Sequence, residues 1–230
     1  MDDLPTSIIE DLQKQLIVNK HVYQKNNLEC KQLCDGHDFE YLGKGCTGIV
    51  AARHGLAYKF YYSFSLGTTE IPYMQKGEII ALKKAVNING FAQYNRHGPG
   101  WTEMQRIKGL SANTYLTNNG FSFFKQKHLN KLFTAVKRAC ELNIVLDPNY
   151  PNLLYDKDKG FYFIDFSDYC KHLGDKSRRL LQQKDYAKFI TRLLIRRNEQ
   201  RAMEESLCLK ISDLLQKYMR IDLDINPQLL

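Results

Sequence analysis

Gly43-Lys44-Gly45-Cys46-Thr47-Gly48-Ile49-Val50 is the stretch on which the fold turns. Its glycines have G-x-G-x-x-G spacing. Glycine lets a backbone enter turns closed to other residues and come close to phosphate oxygens. Two structures use this spacing. A dinucleotide-binding turn needs a helix directly after the glycines and an acidic residue about 20 positions later. Here Ile49-Val50-Ala51-Ala52-Arg53 follows instead, which is strand sequence. The glycines therefore read as the turn of a hairpin able to lie over phosphates. A hairpin with a purely structural glycine turn is the plain alternative.

Outward from this stretch, residues 39–42, 49–53 and 56–62 read as three strands, the second pair joined tightly by His54-Gly55. Upstream, residues 4–27 read as a helix: Pro5 and Thr6 suit its start, and Ile8, Ile9, Leu12, Leu16 and Ile17 recur at helical spacing. Cys34 to Asp38 reads as a turn. Downstream, residues 70–86 read as a helix with Met74, Ile79, Leu82 and Val86 on one side. Strands are expected around 91–96 and 101–107. An amphipathic helix is expected over 126–142, with Leu129, Leu132, Phe133, Val136 and Cys140 on one face. Residues 145–155 read as a loop running into a short strand, and 160–166 as its partner. Residues 176–220 contain no Gly or Pro and read as helical.

Composition narrows the classes. Of the 230 residues, 43% are hydrophobic and 25% charged, which argues against wholesale disorder. No apolar run approaches the roughly 20 residues of a membrane span. The acidic opening Met1-Asp2-Asp3 lacks the apolar core of a Sec-type signal peptide. The six cysteines are sparse, and only Cys30 and Cys34 are close, without a second pair at zinc spacing, so free thiols are expected. The six histidines are scattered and form no metal or catalytic cluster. Trp101 reads as core. The net charge of +8 gathers toward the C-terminus, where residues 171–220 carry thirteen Lys/Arg against six Asp/Glu. That charge reads as the solvated face of an amphipathic helix, with docking of an acidic partner or membrane as the sharper alternative. Arg-Gly repeats, a zinc module and an aromatic platform are all missing, which argues against nucleic acid.

A hairpin over phosphates makes further demands, and the chain meets them in order. Lys59 lies on the third strand, in Ala57-Tyr58-Lys59-Phe60. An unpaired ammonium among apolar residues is costly, so Lys59 either points to solvent or is held by a carboxylate beside the phosphates. The following helix offers Glu70 and Glu78, and Glu78 is preferred because it sits mid-helix among apolar neighbours. Asp147-Pro148-Asn149-Tyr150-Pro151-Asn152 has Asp-x4-Asn spacing, with Asp147 as base and Asn152 as metal ligand. Asp165, in Ile164-Asp165-Phe166-Ser167, matches Asp-Phe-Gly with Ser for Gly and supplies a second metal ligand. This combination is the set of parts found in protein kinases.

The chain resembles a compact protein kinase, most closely the OspG/NleH group of secreted bacterial effector kinases. Residues 141–157, Glu141-Leu142-Asn143-Ile144-Val145-Leu146-Asp147 through Lys157, carry the resemblance together with Phe163-Ile164-Asp165-Phe166 and Met104-Gln105-Arg106-Ile107-Lys108-Gly109. It covers about residues 39–170. It implies an α+β, two-lobed protein-kinase-like fold: a helical extension over 1–35, an antiparallel-sheet N-lobe over 36–108, and a reduced, mostly helical C-lobe over 109–230 with a basic tail. It also implies that Gly43, Gly45, Gly48 and Val50 cover ATP, that Lys59 pairs with Glu78, and that Met104 is the gatekeeper, with Gln105 to Ile107 meeting adenine. Asp147 is then the catalytic base, with Asn152 and Asp165 holding Mg²⁺.

The implied activity is Ser/Thr protein phosphorylation from Mg-ATP by a monomer. The protein would be exported without a cleavable signal into the host cytoplasm, with a cytoplasmic protein as the alternative. Ubiquitin or a ubiquitin-charged conjugating enzyme is the implied partner beside the protein substrate. Departures are visible. Val145 and Leu146 stand where His-Arg is usual, Pro148 follows the base, Ser167 replaces glycine, and only 65 residues follow Asp165, without Ala-Pro-Glu. A full activation segment is therefore not expected. A pseudokinase-like adaptor, a small-molecule phosphotransferase and a nucleotidyl transferase are the competing readings.

Overall fold

The computed structural model describes residues 6–112, 114–115, 125–142, 144, 146 and 152–166. They divide into two compact units. One comprises the described residues up to Lys83 together with Ala92–Arg106, and the other Lys84–Phe91 with the described residues from Ile107 onward. The basic stretch 176–220 lies outside the described residues.

The first unit begins with α1 (Thr6–Val18), α2 (Lys20–Tyr23) and α3 (Asn27–Asp35). Apolar spacing predicts one helix over 4–27, but the chain breaks at Asn19 before the short α2 and restarts again at Asn27. The restart has a local cause. The Asn26 side chain accepts from the backbone N–H of Leu28 (2.9 Å) and of Glu29 (3.5 Å), satisfying donors that a helix start leaves open. Helix α3 thus covers Cys34, which the sequence places in a turn.

β1 (Glu40–Lys44), β2 (Gly48–Arg53), β3 (Leu56–Tyr61), β4 (Tyr94–Gly98) and β5 (Trp101–Gln105) form an antiparallel sheet in the order β1-β2-β3-β5-β4. Alternation along the strands gives the sheet two different faces. Ile49, Ala51, Tyr58, Phe60 and Trp101 point to one of them and bury themselves against Ile9, Leu12, Leu16, Cys30, Leu33 and Cys34 of the N-terminal helices. Phe39 meets Tyr58 and Phe60 edge-on at 5.2 and 5.8 Å. Full burial of each such side chain contributes about 1.5–3 kcal/mol, so these helices cover the sheet rather than trail from it. Burial pushes the Cys34 thiol up to about 12, and a thiol so raised is chemically quiet.

The opposite face carries Val50, Lys59, Tyr61 and Thr102 and is met by α4 (Tyr73–Lys84). The side of α4 turned inward is only partly the one its apolar residues predict. Gln75, Glu78, Ile79 and Leu82 are buried, whereas Val86, just past the helix, is 41% exposed.

The second unit is built on β6 (Leu110–Ser111), β7 (Leu153–Asp156) and β8 (Gly160–Phe163), paired in that order, with α5 (Gln126–Glu141) against β8. The β7–β8 turn is set by Asp156, whose Oδ1 accepts from the backbone N–H of Asp158 (2.8 Å) and Lys159 (3.0 Å). Leu129, Leu132 and Val136 of α5 are buried, as its periodicity predicts.

His128 of α5 is buried, with Nδ1 2.9 Å from the Tyr155 hydroxyl. Desolvation, and then Lys127 and Lys125, hold its pKa below the usual imidazole range. A depressed histidine pKa means that the unfolded chain binds the proton more readily. The stability His128 contributes is therefore full above its unfolded pKa of about 6.5 and lost as pH falls below it. His97, also depressed by burial and Lys83, acts in the same direction. Urea midpoints should accordingly drop between neutral pH and pH of about 5.5, and His128→Gln should shrink that drop without removing it. An unchanged pH slope in the variant would refute the assignment to His128.

Among the described residues, no helix is long and apolar enough to cross a membrane.

Candidate functional site

The glycine hairpin is tight. The Gly45 N–H donates to Gly48 O at 2.9 Å, leaving Cys46 and Thr47 at the tip, with Cys46 exposed. Tyr62 N–H donates to Thr47 O at 3.0 Å, tying the tip to the end of β3. The glycines are not equivalent. A Cβ at Gly45 would have nothing within 4 Å, so the backbone there is open to close approach. A Cβ at Gly48 would lie 1.9 Å from Phe60 O, so this glycine is required by the β2–β3 pairing itself. Lys44, inside the motif, turns away: its Nζ donates to Gln24 O at 2.7 Å in the N-terminal helical region.

Lys59 stands in β3 directly across from Val50 on one side and Thr102 on the other. Its Nζ is 2.8 Å from Glu78 Oε2, with the two side chains 6% and 0% exposed. Of the two glutamates the sequence offers, the structure selects Glu78. Glu70 precedes α4, exposed, with its N–H on Thr68 Oγ1.

A buried ion pair persists only when further hydrogen bonds support it. Tyr61, which the motifs did not single out, provides one, and Gln75, equally unmarked, braces the helix that bears Glu78. The Tyr61 hydroxyl donates to the same Glu78 Oε2 at 2.6 Å and lies 3.3 Å from Thr102 Oγ1. Gln75, fully buried, donates from Nε2 to Gly98 O and Trp101 O, both at 2.7 Å, while its Oε1 accepts from Gly100 N–H at 2.9 Å. The sequence carries a faint trace of both. Tyr61 is two residues from Lys59, hence on the same strand face, and Gln75 is three residues before Glu78, hence on the same helix face.

Met104 is buried in β5, opposite Ala57 of β3 and Tyr94 of β4. The Gln105 N–H donates to Gln93 O at 2.8 Å. Arg106 Nη2 holds Glu40 Oε1 at 2.6 Å, linking the end of β5 to β1. From Ile107 onward the described residues belong to the second unit.

In the second unit Asn152 and Asp165 flank the base of one hairpin. Leu153 pairs with Phe163, and Ile164 N–H donates to Asn152 O at 3.1 Å. Phe166, fully buried, stacks on Phe91 at 5.8 Å, so Asp165 sits between two anchored residues. Two oxygen-bearing side chains of this kind suit Mg²⁺, a hard cation that ordinarily takes one or two protein ligands plus phosphate oxygens and waters. Among the described residues no three His, Cys, Asp or Glu side chains group as a self-sufficient metal site. Leu146 is buried. Asp147 lies outside the described residues.

No protein-family model matches the chain. No curated protein matches it either. Among solved structures it is similar to the kinase domain of PknI from Mycobacterium tuberculosis. One crystal structure of that domain matches at TM-score 0.50 and 13% identity, over 78% of this chain and 85% of that one. A second matches at TM-score 0.47 and 14% identity, over 68% and 70%. A double-mutant form gives 0.46 and 14%, over 68% and 71%. The first of these likenesses, with the five-stranded antiparallel sheet and its helices, defines an α+β, protein-kinase-like fold.

Proposed function

We propose that the chain carries an ATP-dependent protein kinase. The observation that carries this reading is the buried Lys59–Glu78 pair on the sheet face beside the glycine hairpin. A structural ion pair gains little from burial at 0% and 6% exposure, since hydrophobic residues of similar volume often serve as well. An ammonium fixed by a carboxylate is what a phosphate clamp requires.

Mg-ATP would supply the transferable γ-phosphoryl and the cation that spreads its charge. Lys59 would bind the α/β-phosphates, oriented by Glu78. Gly45 would let the hairpin backbone come close above them. Val50 and Met104 would supply apolar surface to adenine. The Gln105 N–H is already engaged with Gln93 O, so polar adenine contacts would fall to the Gln105 carbonyl and the Ile107 backbone. Asn152 and Asp165 would hold Mg²⁺, and Asp147 would accept the proton of the attacking hydroxyl.

The likeness of residues 141–157 to the OspG/NleH group supports a Ser or Thr acceptor on a host protein and a ubiquitin-charged conjugating enzyme as stimulating partner. The test is a Mg-ATP titration by thermal shift beside an autophosphorylation assay, each with and without that partner. The expected result is a Tm that rises with Mg-ATP and phosphate incorporation that the partner increases. A thermal shift without turnover under either condition would favour the adaptor reading, and no shift at all would remove nucleotide binding.

A further inference from the structure

Neither the glycine hairpin nor the metal-ligand pair accounts for Tyr61, whose hydroxyl is buried against the charged centre of the site. We infer that Tyr61 is a positioning residue that holds Glu78 on Lys59; the inference deepens the kinase reading and rests on it.

The argument begins with the Tyr61 backbone. Its N–H donates to Gly100 O at 2.9 Å, and its carbonyl accepts from Gln13 Nε2 of α1 at 3.0 Å. Both main-chain groups are therefore fixed, one by the turn before β5 and one by the N-terminal helices. A phenol on so fixed a Cα has little freedom, because only two torsions separate the ring from the backbone. Its hydroxyl reaches Glu78 Oε2 at 2.6 Å, the oxygen that Lys59 also contacts at 2.8 Å, and its ring centroid lies 5.4 Å from Lys59 Nζ. Tyr61 thus touches both members of the pair.

The helix that bears Glu78 is restrained separately. Gln75 binds Gly98, Gly100 and Trp101 one turn earlier. That clamp fixes the start of α4 but leaves the Glu78 side chain its own torsions. The Tyr61 hydroxyl holds the carboxylate oxygen that Lys59 also contacts. A hydrogen bond to a carboxylate in a buried setting is stronger than a neutral one, and it costs nothing in reorganisation when it is already made. The pair is consequently assembled within the first unit, and the N-terminal helices contribute through Gln13.

The test is Tyr61→Phe, which keeps the ring and removes the hydroxyl, measured beside Glu78→Ala and the double variant. The first readout needs no turnover: the ¹⁵N–¹H resonance of the Lys59 ammonium in nucleotide-free protein. It should be sharp in the wild type and broadened in Tyr61→Phe. The second is calorimetric affinity for a non-hydrolysable ATP analogue with Mg²⁺. Tyr61→Phe should weaken it on the order of ten-fold, and the double variant should be no weaker than Glu78→Ala alone. A merely structural tyrosine would give additive losses and leave the Lys59 resonance unchanged, and either result overturns the inference. If the wild type binds no nucleotide, the kinase reading fails, while the Lys59 resonance still decides whether Tyr61 fixes the pair.

Discussion

Lys59→Met is expected to abolish phosphotransfer and, in the same step, to remove about 3–5 kcal/mol of stability. The second effect follows from burial. Glu78 is fully buried, and taking away the ammonium at 2.8 Å removes the positive charge that sits directly on its carboxylate. A buried carboxylate that loses a counter-charge takes up a proton more readily, so the deficit should narrow toward acid pH. The double variant Lys59→Met/Glu78→Gln removes both charges together, and the new amide oxygen could still accept from the Tyr61 hydroxyl. It should recover much of the lost stability and none of the activity. Asp147→Ala, which removes the base the motif assigns, should also abolish phosphotransfer. Urea denaturation and radiolabelled phosphate incorporation measure the two effects separately. Wild-type stability in Lys59→Met would contradict a buried charge pair, and incorporation persisting in both Lys59→Met and Asp147→Ala would contradict the kinase reading.

The part of this site that sequence could show is the part with a short repeat distance. β2 and β3 were legible because period-2 strands and a two-residue turn leave few alternatives, and Lys59 then fell on the right strand. Glu78 was legible only by its central place in the helix. What spacing could not show is why Glu78 turns inward. Apolar periodicity assigns the buried side of α4 to Met74, Ile79, Leu82 and Val86; Ile79 and Leu82 are buried, but so are Gln75 and Glu78, while Val86 is half-exposed, because Gln75 bonds with Gly98, Gly100 and Trp101, and Glu78 accepts from Tyr61. Hydrophobic patterns are blind to such partners. Helix α3 was missed for a related reason. Its polar residues Asn27, Glu29, Lys31 and Gln32 give no clear apolar period, and its start depends on the cap at Asn26. The two metal-ligand candidates, Asn152 and Asp165, flank a hairpin that the sequence also indicates, and the β7–β8 pairing brings them to its base.

Gly48→Ala should be among the most destabilising single changes in the first unit, whereas Gly45→Ala should barely alter stability. Both glycines belong to one motif, and the motif alone gives them one role. The geometry separates them. A methyl at position 48 would lie 1.9 Å from Phe60 O and 2.9 Å from Phe60 C, both backbone atoms of the adjoining strand. No rotamer relieves a contact with backbone, so β2 and β3 must move apart. That strains the register in which Val50 faces Lys59. Overpacking costs typically about 1–3 kcal/mol, and a contact this short belongs at or above the upper end. At Gly45 the added methyl meets nothing within 4 Å. Its cost should stay within about 1 kcal/mol, the scale of ordinary glycine-to-alanine changes. If the hairpin lies over phosphates, however, that methyl occupies the space a nucleotide needs, and Mg-ATP affinity should fall several-fold at unchanged stability. Chemical denaturation and calorimetric titration of the two variants give the comparison. Equal stability losses at both positions would mean that the hairpin is purely structural. A stable Gly48→Ala variant would mean that the strands do not pair as closely as Phe60 O requires.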